Sequence, residues 1–270
     1  MRTFDEDSHA DESYFVSMTD LLVGMLFVFI ILLMAFALNL RDQQQQVNSA
    51  ADRLTKANLA RKELLEELEQ ALKKDGVTVH IDVLNGVLRL PEEVLFSRGE
   101  YRLADKGRQT LRRLAIHLSD LLPNYACVPV PTNPRCPHEE TAARLETILI
   151  EGHTDSAPAQ GGIGTCLADN WALSACRATA VFNELIVSQD VLARLENDRL
   201  LSAADENPAE AATRENEKLL GVSGYADRRP VSKENMAANR RIDLRFIMST
   251  PDLDEARRFK EKFGSKSAPQ

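Results

Sequence analysis

The chain has 270 residues, 44% of them apolar, and 33 Lys and Arg stand against 41 Asp and Glu for a formal net charge of -8. That acidic balance, without any basic stripe, excludes non-specific nucleic-acid binding. A mean hydropathy of -0.28 excludes a polytopic transporter, and the length predicts one or two domains. The first 13 residues form a polar tail. From Tyr14 to Leu38 the sequence YFVSMTDLLVGMLFVFIILLMAFAL carries one charged side chain, Asp20, and the stretch from Leu21 onward has none. A helix of this length crosses a hydrocarbon core of about 30 Å, so residues 14–40 are predicted to span a membrane. An acid inside such a span is costly and is a candidate proton or cation carrier; the alternative is that Thr19-Asp20 caps the helix start. A cleaved signal peptide is disfavoured. Asp5, Glu6, Asp7, Asp11 and Glu12 outweigh Arg2, and no small-residue cleavage site follows the apolar core. One helix cannot enclose an ion path, so any such path is shared with partner helices.

Residues 41–75 are polar, helix-favouring and free of Gly and Pro. Val47, Ala50, Leu54, Ala57, Arg61, Leu64, Leu68 and Ala71 fall on a seven-residue a/d pattern with Arg61 as the one polar member. This predicts a coiled coil pairing two chains, with a helix folded back on the next domain as the alternative. From Val77 the period changes. VTVHIDVLNGVLRLP alternates around Asn85-Gly86, a hairpin signal. Leu103–Leu122 reads as a helix, Leu145–Gly152 as a buried strand, Trp171–Ser188 as a helix and Val191–Leu201 as another. Ala203–Glu217 reads as a surface insertion, Leu219–Tyr225 and Arg241–Met248 as strands, and Leu253–Phe263 as a short helix in the tail 251–270. The resulting class is α+β: a transmembrane helix, a helical linker and, over 76–250, an α/β sandwich with helices on one face of a mixed sheet.

The segment GHTDSAPAQGGIGTCLADNWALSACRATAVFNEL (Gly152–Leu185), followed by GVSGYADRRP and NRRIDLRF and preceded by LFSRGEYRLADKG (Leu95–Gly107), resembles the OmpA-like peptidoglycan-binding domain. The resemblance covers about Val77 to Met248. It implies that Asp155 and Arg177 bind the diaminopimelate of the peptide stem, with Asn170 and Leu173 lining the same pocket. The chemistry is sound on its own terms, because an Asp pairs an ammonium and an Arg fork pairs a carboxylate. The competing reading makes Asp155 a turn cap and Arg177 a surface residue. Arg240 and Arg241 are candidates to support the pocket or to pair locally, and His153 is read as a packing residue rather than a metal ligand. The 21 residues between Asp155 and Arg177 lengthen the loop beyond the compact family pattern.

An intramembrane Asp near the start of a single span, joined to such a domain, resembles the B subunit of an ion-driven stator, with the flagellar one as the familiar case. This chain departs from it in its acidic N-terminus. SMTDLLVGMLFVFIILL more closely resembles the B subunit of the Zorya anti-phage defence system. The resemblance implies a multi-span A-type partner, two B chains per complex, a homodimer through the linker and periplasmic domain, peptidoglycan as the anchor, an inner-membrane location with the N-terminus cytoplasmic, and neither enzymatic activity nor cofactor nor metal. It leaves the coupled ion, proton or sodium, open. A flagellar-type stator subunit and a passive wall tether are the alternatives. Charge counting points the other way for topology, since Arg2 faces Arg41, Arg53 and Lys56 across the span.

The four cysteines, Cys127, Cys136, Cys166 and Cys176, all lie in the C-terminal domain, with 8, 29 and 9 residues between them and no CxxC. That spacing suits no standard zinc pattern, and an even count in one domain fits an oxidising compartment. Of three connectivities, placement favours Cys127–Cys136 within one loop and Cys166–Cys176 at the next helix start, with zinc binding as the alternative.

Overall fold

The computed structural model describes residues 6–77, 79–97, 99–129, 143–159, 161, 165–197 and 217–249. Cys136, residues 203–216 of the insertion expected at Ala203–Glu217 and the tail helix expected at Leu253–Phe263 lie outside them. The chain divides into two compact units, Met1–Asp52 and Arg53–Gln270.

The first unit is helical throughout its described length, as part of helix α1 (Glu6–Lys74). Within it Met18–Gln45 is, among the described residues, the one helical stretch long and apolar enough to cross a membrane, and its side chains are all exposed on the protein. Asp20 lies 14 residues beyond the first residue of α1, so it is an interior helical residue and not an N-cap.

The second unit is built on a five-stranded sheet. Strands β1 (His80–Asp82) and β2 (Val87–Pro91) form the hairpin expected around Asn85-Gly86. Gly86 has φ +65°, and a Cβ there would sit 2.9 Å from the Phe246 carbonyl oxygen, so the turn requires glycine. Pro91 leads into the short helix α2 (Glu92–Leu95), followed by α3 (Asp105–Leu121). Strand β3 (Leu145–His153) precedes α4 (Asn170–Ser188) and the short α5 (Asp190–Arg194). Of the second expected helix of that region, Val191–Leu201, the described part is helical only to Arg194, because Glu196 leaves it to bridge Cys127 and Lys218; residues 198–201 lie outside the described residues. Strand β4 (Leu220–Gly224), the turn α6 (Met236–Asn239) and β5 (Arg241–Met248) follow. The order across the sheet is β1-β2-β5-β3-β4, antiparallel except for the β3–β4 pair. The mixed sheet follows from connection length: β3 reaches β4 through α4, a crossover that a parallel pair needs.

The linker behaves differently from a paired coil. Ala57, Leu64, Leu65, Leu68 and Leu72 of α1 are buried in one hydrophobic core with Leu114, Leu118, Ile148, Leu244 and Phe246. Arg61 donates to the Leu84 carbonyl, and Asp75 at the end of α1 accepts from His117 Nε2 at 2.8 Å. The expected two-chain seam is therefore corrected over its second half: Leu64 and Leu68 pack inside their own domain, and of the described seam side chains Val47 and Leu54 remain openly exposed.

Candidate functional site

Two glycines let α4 approach the sheet. A Cβ at Gly152 would lie 1.9 Å from the Ser174 carbonyl oxygen, and one at Gly224 would lie 2.8 Å from Ser174 Oγ. Ser174 Oγ in turn accepts from Ala226 N, and the Ala226 carbonyl accepts from Thr154 N. The end of β3 and the start of α4 are thus clamped together, which places Asp155 and Arg177 in one neighbourhood.

Arg177 is 3% exposed. Its Nη2 donates to Glu92 Oε1 at 2.7 Å, its Nε donates to the Glu100 carbonyl at 2.9 Å, and its guanidinium lies 5.3 Å from the Phe96 ring centre. Burial pulls the Arg177 pKa below the ordinary arginine value, and Glu92 works against that. Asp155, 14% exposed, accepts from Arg240 Nη1 at 2.7 Å through one oxygen and from Ala157 N through the other. Arg240 also reaches Glu92 Oε2 at 3.0 Å, and its hydrogen bond to Asp155 raises its pKa. Arg177, Glu92, Arg240 and Asp155 therefore form one alternating chain of two cations and two anions. Glu92 and Arg240 line a cleft of ≈660 Å³ with His80, Arg89, Phe96 and Asn235.

Asn170 holds the loop. Its amide nitrogen donates to the carbonyls of Asp155 and Ala157, and its oxygen accepts from Ala159 N. Leu173 is buried on the inner face of α4. Asp169 caps α4 by accepting from Ala172 N. The Cys166–Cys176 disulfide is present, tying the loop to the first turns of that helix. Cys127 is also disulfide-bonded; its expected partner Cys136 lies outside the described residues.

The sequence singled out Asp155, Arg177 and Arg240, and the structure brings them together. It missed Glu92, the hinge of the chain. The available signal was an acidic pair, Glu92-Glu93, placed directly after the buried strand β2 and before the LFSRGEYRL segment.

A second group of charges lies one residue further into the sheet. Glu151 and Asp243 face each other across the β3–β5 register, and His153 lies within reach of both, at 3.7 and 3.5 Å. Among the described residues these three could by position hold a metal ion. Their charges are already compensated, however. Arg245 grips Glu151 with two hydrogen bonds of 2.7 and 2.8 Å, and Arg241 donates to Asp243 at 2.9 Å. A dication there would face two guanidinium groups already bonded to the carboxylates, so the donor set does not suit one. Burial pushes the Glu151 carboxyl up, but His153 and Arg245 more than reverse this and hold it at about 2. Burial holds the His153 pKa below its ordinary value. The imidazole stacks on Tyr225 with ring centres 5.5 Å apart, as a packing residue does.

No protein-family model matches the chain. It is 25% identical over 268 residues to the uncharacterised protein YtxE of Bacillus subtilis, a match covering 88% of this chain and 90% of that one. Among solved structures it is similar to a MotB-like protein from Desulfovibrio vulgaris, at 21% identity over 73% of this chain and 96% of the other, with a TM-score of 0.45. It is also similar to the periplasmic domain of Helicobacter pylori MotB, at 19% identity over 67% and 87%, TM-score 0.38. The cell wall anchor of the T6SS from Pseudomonas aeruginosa matches at 20% identity over 71% and 99%, TM-score 0.39.

Proposed function

We propose that this protein is the wall-anchored stator subunit of an ion-driven inner-membrane motor, with the proton as the coupled ion, that acts in anti-phage defence.

 The observation that carries the reading is the joining, in one chain, of an acid inside a membrane-length helix to a domain whose GHTD and LSACRA residues share one ion network. Asp20 would take up and release an ion in a path shared with a multi-span A-type subunit, because a single span leaves its other faces to lipid. Asp155 and Arg177 would hold the ammonium and carboxylate of diaminopimelate in peptidoglycan, which fixes the subunit against the wall. In this reading the N-terminus is cytoplasmic, the C-terminal domain is periplasmic, and two copies serve one motor through the exposed Val47 and Leu54 rather than the whole linker.

Two measurements test it. Asp20→Asn keeps the size and hydrogen bonding of the side chain but removes its titration, so the variant should insert and assemble yet lose phage protection; full protection ends the ion-carrier reading. Pull-down on purified sacculi should fall sharply for Asp155→Ala and Arg177→Ala, and undiminished binding by both moves the wall contact elsewhere. A passive wall tether is the second reading. It is favoured by the position of Asp20 only two residues after Met18, where the apolar span starts, and it predicts that Asp20→Asn is silent while the sacculus variants are not.

A further inference from the structure

Arg177 and Asp155 are not open to the cleft as they stand. They are 3% and 14% exposed, whereas the cleft wall is made by the two residues paired to them, Glu92 and Arg240. Glu92 places a carboxylate on the Arg177 guanidinium, and Arg240 places a cation on the Asp155 carboxylate. These two partners also hold each other at 3.0 Å. A ligand head with one ammonium and one carboxylate on neighbouring atoms presents the same two charges to the same two groups.

We infer that Glu92 and Arg240 form an internal stand-in for the zwitterionic head of the ligand and so set the selectivity of the site. This rests on the peptidoglycan-binding reading above and adds to it the residues that decide which ligands enter. A buried guanidinium without a partner is strongly destabilising, so a fold that buries Arg177 needs a carboxylate on it whenever the ligand is absent. When a zwitterionic head arrives from the cleft, Glu92 and Arg240 leave together, each keeping the other as its partner, and no charge is stranded. A ligand with a carboxylate alone meets Glu92 still held in place by Arg240, which Asp155 retains. A ligand with an amine alone meets Arg240 still held by Glu92. The two displacements are coupled, and the site accepts both charges or neither.

The test uses the full-length protein in detergent and three ligands of matched chain: meso-diaminopimelate, pimelate, which lacks the ammonium groups, and cadaverine, which lacks the carboxylates. Calorimetry on the wild type should detect diaminopimelate alone. Glu92→Gln keeps the shape and an acceptor for Arg177 but removes the competing charge, so it should bind diaminopimelate about fivefold tighter and should now admit pimelate. Arg240→Gln should admit cadaverine. Unchanged or weaker diaminopimelate binding by Glu92→Gln overturns the inference, because it makes Glu92 a ligand contact or a purely structural group. Phenylglyoxal labelling of Arg177, read by mass spectrometry, tests the stand-in without any ligand: labelling should be slow in the wild type and faster in the folded Glu92→Gln variant, and equal rates overturn it. Asp155→Asn binding diaminopimelate as tightly as the wild type would instead sink the peptidoglycan reading, while the labelling result still decides the role of Glu92.

Discussion

Two ion networks sit side by side at one end of the sheet and differ in what their charges can do. In the inner one, Glu151 and Asp243 are almost fully buried and each is gripped by an arginine, Arg245 or Arg241, with Arg89 and Arg229 also within 3.7 Å of them. In the outer one, Arg177, Glu92, Arg240 and Asp155 alternate two against two, and Arg240 keeps a third of its surface in solvent beside the cleft. The inner network has more cations than anions, and although Arg89 and Arg241 reach the cleft, its two carboxylates are closed off from it, so no ligand charge can take their place. The outer network is balanced and borders the cleft, so its partners can be exchanged. Adjacent residues, Arg240 just before β5 and Arg241 at its start, thus serve opposite ends: Arg241 belongs to a fixed scaffold and Arg240 to a replaceable contact.

The contrast breaks first, if it breaks, at Glu151. Glu151→Ala leaves Arg245 without its two-pronged partner and should destabilise the domain by about 3 kcal/mol or more, read from chemical denaturation; a loss below 1 kcal/mol would erase the distinction between the networks. Acid should act through the same residue. The Glu151 carboxyl sits at about 2 in the fold against an ordinary 4.5, so its contribution of about 3 kcal/mol is complete above pH 4.5 and is lost as pH falls toward 2. His153 adds to this in the same direction. Its pKa lies below 6.5 in the fold, the unfolded chain takes the proton first, and stability starts to decline as pH drops through 6.5. Denaturation midpoints measured between pH 7 and pH 3 should therefore fall steadily, and Glu151→Gln should flatten the lower part of that slope.

The outer network should show the reverse pattern. Asp155→Asn should lower stability by only about 1 kcal/mol, since Arg240 keeps Glu92, while binding to sacculi collapses. A loss of stability as large as that of Glu151→Ala would make Asp155 a scaffold residue. The smallest effect is expected at Ala226, which sits between the networks. Its φ of +50° lies in the left-handed region, a conformation that costs an alanine about 1 kcal/mol. Ala226→Gly should raise the thermal midpoint slightly, by the equivalent of about 0.5 kcal/mol after the added freedom of the unfolded chain is subtracted. A lowered midpoint would show that the Ala226 methyl contributes more by packing than its backbone loses by strain.

Much of this fold is legible in the sequence. Asn85-Gly86 between alternating apolar residues marks its hairpin because the turn needs a positive φ that glycine supplies. The strand at Leu145–Gly152 and the helix at Trp171–Ser188 were likewise visible from their apolar patterns; the structure starts that helix one residue earlier, at Asn170, because Asp169 caps it. The linker was harder. An a/d stripe fits a second helix or the chain's own domain equally well, and the deciding signal was its width: Leu65 and Leu72 extend the stripe beyond the seam, which suits a globular core better than a two-helix contact. Glu92 was legible only as one of an acidic pair after β2, not as a site residue. Its partner Arg177 is 85 positions away, and no local pattern distinguishes a buried acid that pairs across that distance from an exposed one at a helix start.

The order of the strands has a consequence for how the protein is made. β5 lies at the centre of the sheet, between β2 and β3, yet among the described strands it is the last to be synthesised. Until Arg241–Met248 emerges, the β1–β2 hairpin and the β3–β4 pair are two separate half-sheets, and Leu64, Leu68 and Leu72 of the helix wait with part of their core missing. Closure of such long-range pairings is slow relative to local structure. The nascent domain therefore carries unpaired strand edges for nearly its whole synthesis, and a chain that stops short of Arg241 never joins its two halves.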